Sequence, residues 1–488
     1  MMSIPNHRSP TVSGLLRLIL PTVLGLLALP DVVAAQTLDQ TLIWAYQNNP
    51  QIQSERARQR TTDEEVTRAL AGYRPTVDVI AQTGRAVDRD QSVYTQQVQT
   101  SYTTYSENKV HTVTRNRRDP HSVVVEFQQP IYDGGKTPAA VNSAEWLVKR
   151  GRAALQSAEA GVLSDAVTAY YDLYRDQTIV DMVAENTQAL ERQLAATRAR
   201  YKVKDVTGTD IAQSEARLAR GISDRTLVEG NLAATRSSYL RVVGMAPGKA
   251  AKPPPLPADV PKTRQEALSF ADNNPDVVSA TFAESQARSD IDQAYSALNP
   301  NLSLNAAALR QDETDQPNYA RNSAQVLLQL KIPLYDGGVS YSRIRGAKQT
   351  AEQRRNELEN TRNKVIDQIE RAWQGLVTAR SRITSINEQK RASEIALDSV
   401  SREVLVGTRS VLDQLNAVQE LLDAKVGLVR AQHDEAVAVY SLLVAIGRFN
   451  AEGLNLPVDI YDAKANYEDV RSRWFGTGSD TPLATGKP

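Results

Sequence analysis

One long unit is written twice in this chain, and a duplication of that length leaves few architectures open. Asn48-Asn49-Pro50 returns as Asn273-Asn274-Pro275, an offset of 225 residues. Tyr132-Asp133-Gly134-Gly135 returns as Tyr335-Asp336-Gly337-Gly338, an offset of 203, and Val203 and Asp210 return as Val406 and Asp413 at the same 203. The 488 residues therefore read as one elongated object with internal pseudo-twofold symmetry rather than as several unrelated domains.

The first 35 residues stand apart. Arg8 and Arg17 precede an apolar run from Leu18 to Leu29, and Val33-Ala34-Ala35 supplies small residues for cleavage. This pattern predicts a secretory signal peptide, 1–35. A transmembrane anchor needs about 20 apolar residues, and this run is shorter and carries Pro21. Cysteine is absent, so there is no disulfide framework, no thiolate metal site and no cysteine for a lipid anchor. Lys plus Arg equals Asp plus Glu, 57 each, which leaves no bulk charge for nucleic acid. After residue 35 no run of 18 apolar residues occurs. The chain is then either soluble in an exported compartment or enters a membrane as a closed β-barrel.

Within each copy the hydrophobic period changes twice. A short amphipathic segment ends at Asn-Asn-Pro, and a helix follows, roughly 51–72 and 276–298. Period two then predicts strands at 76–84 and 301–310. The return strands alternate more clearly. Val123, Val125 and Phe127 face away from Val124, Glu126 and Gln128, as Val326, Leu328 and Leu330 do from Leu327, Gln329 and Lys331. Glu126 and Lys331 are expected on a common polar face that lines a lumen. The extra 22 residues of the first hairpin lie between about Arg85 and His121, a Tyr-, Thr- and Gln-rich stretch with Arg115, Arg117 and Arg118. It is expected as a long solvated loop, without the stacking platform a nucleic-acid patch requires.

After each Gly-Gly pair the period becomes about 3.5–3.6 residues. A heptad-like seam runs through Ile344, Ala347, Ala351, Leu358, Val365, Ile369, Ala372, Leu376, Ala379, Ile383 and Ile386. No proline interrupts 139–246 or 334–456, so helices of about 136–203 and 339–406 are predicted, each on the order of 100 Å long. Short breaks lead into return helices at about 210–243 and 413–446, the first followed by a Pro-rich linker, Pro253 to Pro261. End-to-end stacking of 210–243 on 276–298, and of 413–446 on 51–72, is expected. The repeats span 36–260 and 261–450, and the polar tail 451–488 is expected to be loosely ordered.

Four strands with an apolar face do not close a barrel, and open edges are not tolerated in lipid. Two, three or four chains would supply eight, twelve or sixteen strands, and eight is the smallest bacterial single-chain barrel. Cyclic assembly is therefore required, and the strand count leaves its order open.

The doubled Pro-x-Tyr-Asp-Gly-Gly junction (Pro130, Asp133, Gly134, Gly135; Pro333, Asp336, Gly337, Gly338), the rods and the turn Val406-Gly407-Thr408-Arg409 with Asp413 together resemble the TolC-like outer-membrane channel family, over nearly all of 36–450. The resemblance implies a membrane α+β fold: long α-helical coiled-coil hairpins plus four transmembrane β-strands per chain. It implies a homotrimer with a 12-stranded β-barrel and a 12-helix α-barrel. It further implies a passive exit duct of a tripartite efflux pump or type I secretion system in the outer membrane, extending into the periplasm. The implied partners are a periplasmic adaptor, an inner-membrane transporter and outer-membrane lipid, with no cofactor and no catalysis. By position Arg409 matches the family's gating arginine, Thr209 and Asp210 its partners on the other hairpin, and Asp413 the first of two aspartates that ring the entrance. The chain departs from the pattern at Asn416, where the second aspartate is expected, and at Val404, where a tip tyrosine is expected. The aperture is then less negative than is typical.

The residues also admit plainer readings. Arg409 and Asp413 are one helical turn apart and can form an intrahelical pair. Gly135-Lys136 is similar to a fragment of a phosphate loop, but the rest of that pattern is missing, and glycine's φ freedom at a sheet-to-helix swing accounts for it. An enzyme lacks residues: the mature chain holds only His111, His121 and His433, none in metal or triad spacing, with His433 expected on a helix surface. The rival class is a periplasmic coiled-coil adaptor, which would carry one hairpin rather than two.

Overall fold

The computed structural model describes residues 36–478, apart from 258 and 317. The predicted signal peptide and the last ten residues of the tail lie outside the described residues. The chain starts with α1 (Leu38–Asn48), closed by a capping box in which Thr37 and Gln40 exchange side-chain and backbone hydrogen bonds. Asn49 caps α2 (Pro50–Leu70), where Pro50 occupies a first-turn position that needs no N–H donor.

The strands β1 (Thr76–Thr83), β2 (Ala86–Ser101), β3 (Thr104–Arg118) and β4 (His121–Tyr132) come next, before the first rod. Segment 85–121 is thus not the solvated loop expected. Its backbone pairs as β2–β3 through a two-residue turn at Tyr102-Thr103 and continues the β1–β4 hairpin beyond a break at Gly84 and Pro120. Gly84 N–H donates to Pro120 O at 3.1 Å, and Arg85 pairs with Asp119 at 2.8 Å across the break. Thr, Val and Tyr suit a pleated ribbon, yet the segment has no apolar stripe, so periodicity could not find it.

The first rod, α3 (Lys136–Lys202), and its return helix α4 (Gly208–Val243) precede the linker, α5 (Arg264–Ser269) and α6 (Pro275–Tyr295). The second copy supplies β5 (Asn301–Asp312), β6 (Ala320–Lys331), α7 (Val339–Leu405) and α8 (Val411–Ala445), and α9 (Ala465–Arg471) ends the described chain. Both rods have 67 residues and are displaced by the same 203 at each end. None of the described helices is long and apolar enough to cross a membrane.

The main sheet is antiparallel in the order β1-β4-β5-β6. One row joins Val77, Phe127, Ala306 and Val326, and the adjacent row on the other face joins Asp78, Glu126, Ala307 and Gln325. The expected apolar and polar faces are therefore present, with Lys331 on the same face as Gln325. Val77, Val79, Val326 and Leu328 are exposed, and among the described residues no strand pairs with the outer edges of β1 and β6.

The stacking of short helices differs from the expectation. Asn49 Nδ2 donates to Val242 O at 2.8 Å, and Asn274 Nδ2 donates to Ala445 O at 2.8 Å. So α4 abuts α2 and α8 abuts α6: each column is built within one repeat, not across the two. The cause is local. A helix C-terminus exposes unpaired carbonyls, and an asparagine that caps the next helix with its oxygen has its amide free to satisfy one of them. Around these joints lies the main core, with Tyr46, Leu163, Tyr170, Tyr239, Leu442 and Phe449 fully buried. The seam predicted along the second rod is borne out: Ile344, Val365, Ile369, Leu376 and Ala379 are buried and the others half-buried.

Residues 451–478 are folded, contrary to expectation. Tyr461 N–H donates to Tyr46 Oη at 3.1 Å, and α9 packs on α2. Gly244 and Gly447 end the two return helices with φ of 80° and 72°. A Cβ at Gly244 would meet open space, but at Gly447 it would lie 2.7 Å from Asn273 O. Gly244→Ala should cost about 1–2 kcal/mol for the left-handed backbone alone, and Gly447→Ala more. Thermal unfolding in detergent should show the larger drop in Tm for Gly447→Ala.

Candidate functional site

The two hairpin tips are built alike. Lys204, with φ of 65°, and Gly407, with φ of 81°, turn the chain out of each rod. Thr207 caps α4 and Ser410 caps α8, and in both the third residue of the helix is an aspartate that completes a capping box. Asp210 accepts from Thr207 N and Oγ1 at 2.8 and 2.7 Å, and Asp413 accepts from Ser410 N and Oγ at 3.1 and 2.7 Å. Hydrogen bonds from the Ser410 hydroxyl and backbone, with the charge of Arg409, hold the Asp413 carboxyl below its ordinary value.

Arg409 Nε donates to Glu403 Oε2 at 3.0 Å, within its own hairpin. Among the described residues no hydrogen bond or ion pair joins Arg409 to Thr209, Asp210 or Asp413. The hairpins are tied instead slightly above the tips. Leu190, Val404, Val411 and Leu415 form a small buried cluster, flanked by Leu218 and Val400. Val404 is 5% exposed, so the position read as a missing tip tyrosine is a packing position. Arg217 Nη2 donates to Asn416 Oδ1, and Gln193 Nε2 donates to Gln414 Oε1 at 3.3 Å. Asn416 thus joins α8 to α4. Arg217 was not found from sequence: its only signal is its place two helical turns after Asp210, on a helix with many arginines.

At the other end of the rods each Asp-Gly-Gly junction is a cap. Asp133 accepts from Gly135 N at 3.2 Å, from Thr137 N at 2.6 Å and from the Thr137 hydroxyl. Asp336 repeats this with Gly338 N at 3.1 Å, Ser340 N at 2.8 Å and the Ser340 hydroxyl. Gly134, Gly135, Gly337 and Gly338 all have φ between 72° and 89°. The aspartate satisfies first-turn N–H groups that a rod leaving a sheet would otherwise leave unpaired. Pro130 sits at the irregularity where the β4–β5 register shifts, and Pro333 follows the end of β6, so both prolines stand where regular pairing is interrupted or over.

His433 is not on the surface. It is 11% exposed, with Nε2 at 2.8 Å from Asp172 and Nδ1 at 3.1 Å from Asp434. Arg175 pairs with Asp172 and Asp176, each at 2.7 Å, Thr235 donates to Asp176 at 2.6 Å, and Arg382 pairs with Asp434 at 3.3 Å. This network joins α3, α4, α7 and α8 at one height. Burial raises the Asp172 carboxyl, but the hydrogen bond with His433 and the charge of Arg175 outweigh burial and hold it below 3.8.

Two outcomes follow for these sites. Arg217→Ala should raise single-channel conductance in planar bilayers, and Asn416→Ala should add little to it, since both remove one link. A carboxyl with a depressed folded pKa stabilises above its unfolded value and loses that contribution as pH falls through the folded one. Asp172→Asn should therefore be less stable than wild type at pH 7, by roughly 1.5–3 kcal/mol. The difference should shrink below pH 3.8, which thermal unfolding as a function of pH will read.

Comparison with known proteins agrees with this architecture. The sequence profile described as "Outer membrane efflux protein" matches residues 44–238 and 266–448, one block per repeat. The outer membrane efflux protein BepC of Brucella suis is 31% identical over 446 residues, covering 91% of this chain and 92% of that protein. The outer membrane protein TolC of Vibrio cholerae is 24% identical, covering 92% of this chain and 98% of that one. The CmeC outer membrane channel of Campylobacter jejuni superposes with a TM-score of 0.70 at 14% identity, over 89% of both chains. The periplasmic adaptor reading is thereby set aside. The chain belongs to the outer membrane efflux protein family, and it is an outer-membrane channel reaching into the periplasm, an exit duct for efflux or secretion systems and not an enzyme.

Proposed function

We propose that three copies of this chain close a 12-stranded barrel in the outer membrane and a 12-helix tunnel below it. The observation that carries this is the sheet β1-β4-β5-β6, with two free edges and an exposed apolar face. In lipid both features require neighbours: edge strands need pairing, and apolar side chains seek hydrocarbon. Each chain contributes four spanning strands, and the β2–β3 ribbon extends the first hairpin beyond them. The resemblance to TolC-like channels supplies the number three.

The tunnel operates passively. Its entrance is the ring of hairpin tips, where Arg409, Asp413, Asn416, Thr209 and Asp210 lie. A gate there must open at small cost, and exposed ion pairs of about 0–1 kcal/mol suit that need. The Arg409–Glu403 pair, with side chains 52% and 44% exposed, is of this kind. Opening follows docking of a periplasmic adaptor that joins the tips to an inner-membrane transporter, for efflux of small molecules or for type I secretion of a polypeptide. Residues 36–260 and 261–450 act as two quasi-equivalent staves, and the junctions at Asp133-Gly134-Gly135 and Asp336-Gly337-Gly338 mark the boundary between barrel and tunnel.

Light scattering of the purified mature protein in detergent should give the mass of three chains, and a single-chain mass would overturn the assembly. In planar bilayers Arg409→Ser should conduct more than wild type. Unchanged conductance would remove Arg409 from the gate while leaving the trimer intact.

A further inference from the structure

The C-terminal segment climbs α2 toward the sheet. Asn466 Nδ2 donates to Asp63 at 2.9 Å, Thr67 Oγ1 donates to Val470 O at 2.9 Å, and Arg74 Nη1 donates to Arg473 O at 2.8 Å. The three contacts ascend both segments in step, and the last lies two residues before the start of β1. There the segment turns two large apolar side chains outward. Trp474 is 59% exposed, with the Arg74 guanidinium 4.9 Å from its ring centroid, and Phe475 is 91% exposed. At the same end of the sheet Tyr73, Ile131, Tyr132 and Tyr335 are also exposed.

An open Trp-Phe pair in water leaves a large apolar area unburied, and a folded segment that ends by displaying one calls for an occupant. Position and composition indicate which. The pair continues the level at which strands become helices, so it adjoins the face read as lipid-facing. Trp and Tyr beside Arg are the side chains that settle at a membrane–water boundary, where ring bodies meet acyl chains and cations meet headgroup phosphates. We propose that residues 461–475 form a strap carrying an interfacial anchor. Trp474 and Phe475 seat in the headgroup–acyl boundary of the periplasmic leaflet, and Arg74 faces lipid phosphate. The strap then fixes the height of α2, and with it β1, against the bilayer. This inference rests on the sheet being the membrane-facing element.

The absence of native cysteine allows a direct test. Full-length Trp474→Cys and Phe475→Cys, each carrying a nitroxide and retaining channel conductance, are reconstituted in vesicles of phosphatidylethanolamine and phosphatidylglycerol. Val326→Cys on the apolar sheet face is the reference. Electron paramagnetic resonance then compares collisions with oxygen, which concentrates in lipid, and with a water-soluble nickel chelate. Labels at 474 and 475 should favour oxygen several-fold, at a shallower depth than the label at 326. Preference for nickel, or exclusion of both reagents by a second subunit, at 474 and 475 with 326 still in lipid would overturn the anchor alone. A label at 326 that favours nickel would overturn the lipid-facing sheet and the anchor with it.

Discussion

Unpaired peptide groups have no partner in hydrocarbon, and this constraint governs the whole molecule. The main sheet leaves β1 and β6 open at either side, so a single chain is structurally incomplete in the place where it must work. The long helices impose the same condition in water: Ile222 and Leu227 on α4, and Val377 and Ile395 on α7, are apolar and exposed. Strands and helices thus both leave apolar side chains uncovered within one chain. The proposed ring of copies would answer both needs with one operation.

Much of this was legible because the two copies check each other. A constant displacement of 203 residues fixes both ends of both rods, and the capping aspartates Asp133, Asp210, Asp336 and Asp413 mark the ends of the helices they cap. Strand parity was legible because one face must be apolar. What escaped the sequence has physical reasons. The β2–β3 ribbon is polar on both faces, so its order comes from backbone pairing, which leaves no periodic trace. The tail folds through pairs such as Asp63 with Asn466 and Tyr46 with Tyr461, about 400 positions apart, which no local pattern reveals. His433 looked like a surface residue because its neighbours Asp172 and Arg175 come from another repeat.

The tip shows where legibility stops. Sequence position placed Arg409, Asp210 and Asp413 at the hairpin tips, and in the structure they lie at the turns between each rod and its return helix. The structure assigns the aspartates to capping and Arg409 to Glu403, while Arg217–Asn416 and Gln193–Gln414 link the hairpins. A capping aspartate is held by its own helix, and its remaining lone pairs are still available to a neighbour. Asn416, where the family pattern has a second aspartate, accepts from Arg217 without a formal charge. An amide in that place gives a hydrogen bond that ionic strength weakens little, unlike a carboxylate pair.

The amides of Asn49 and Asn274 carry a mechanical consequence. The rods α3 and α7 transmit force through continuous backbone, but the columns beside them are interrupted. Between α4 and α2, and between α8 and α6, the load crosses an amide–carbonyl contact and packed side chains, with no peptide bond. Twisting the lower half of a column about its own axis breaks that contact, about 0.5–1.5 kcal/mol, and shifts packed side chains, but does not distort a helix. The columns are thus jointed struts beside unbroken ones, and the part of a column below its joint can turn while the part above stays still.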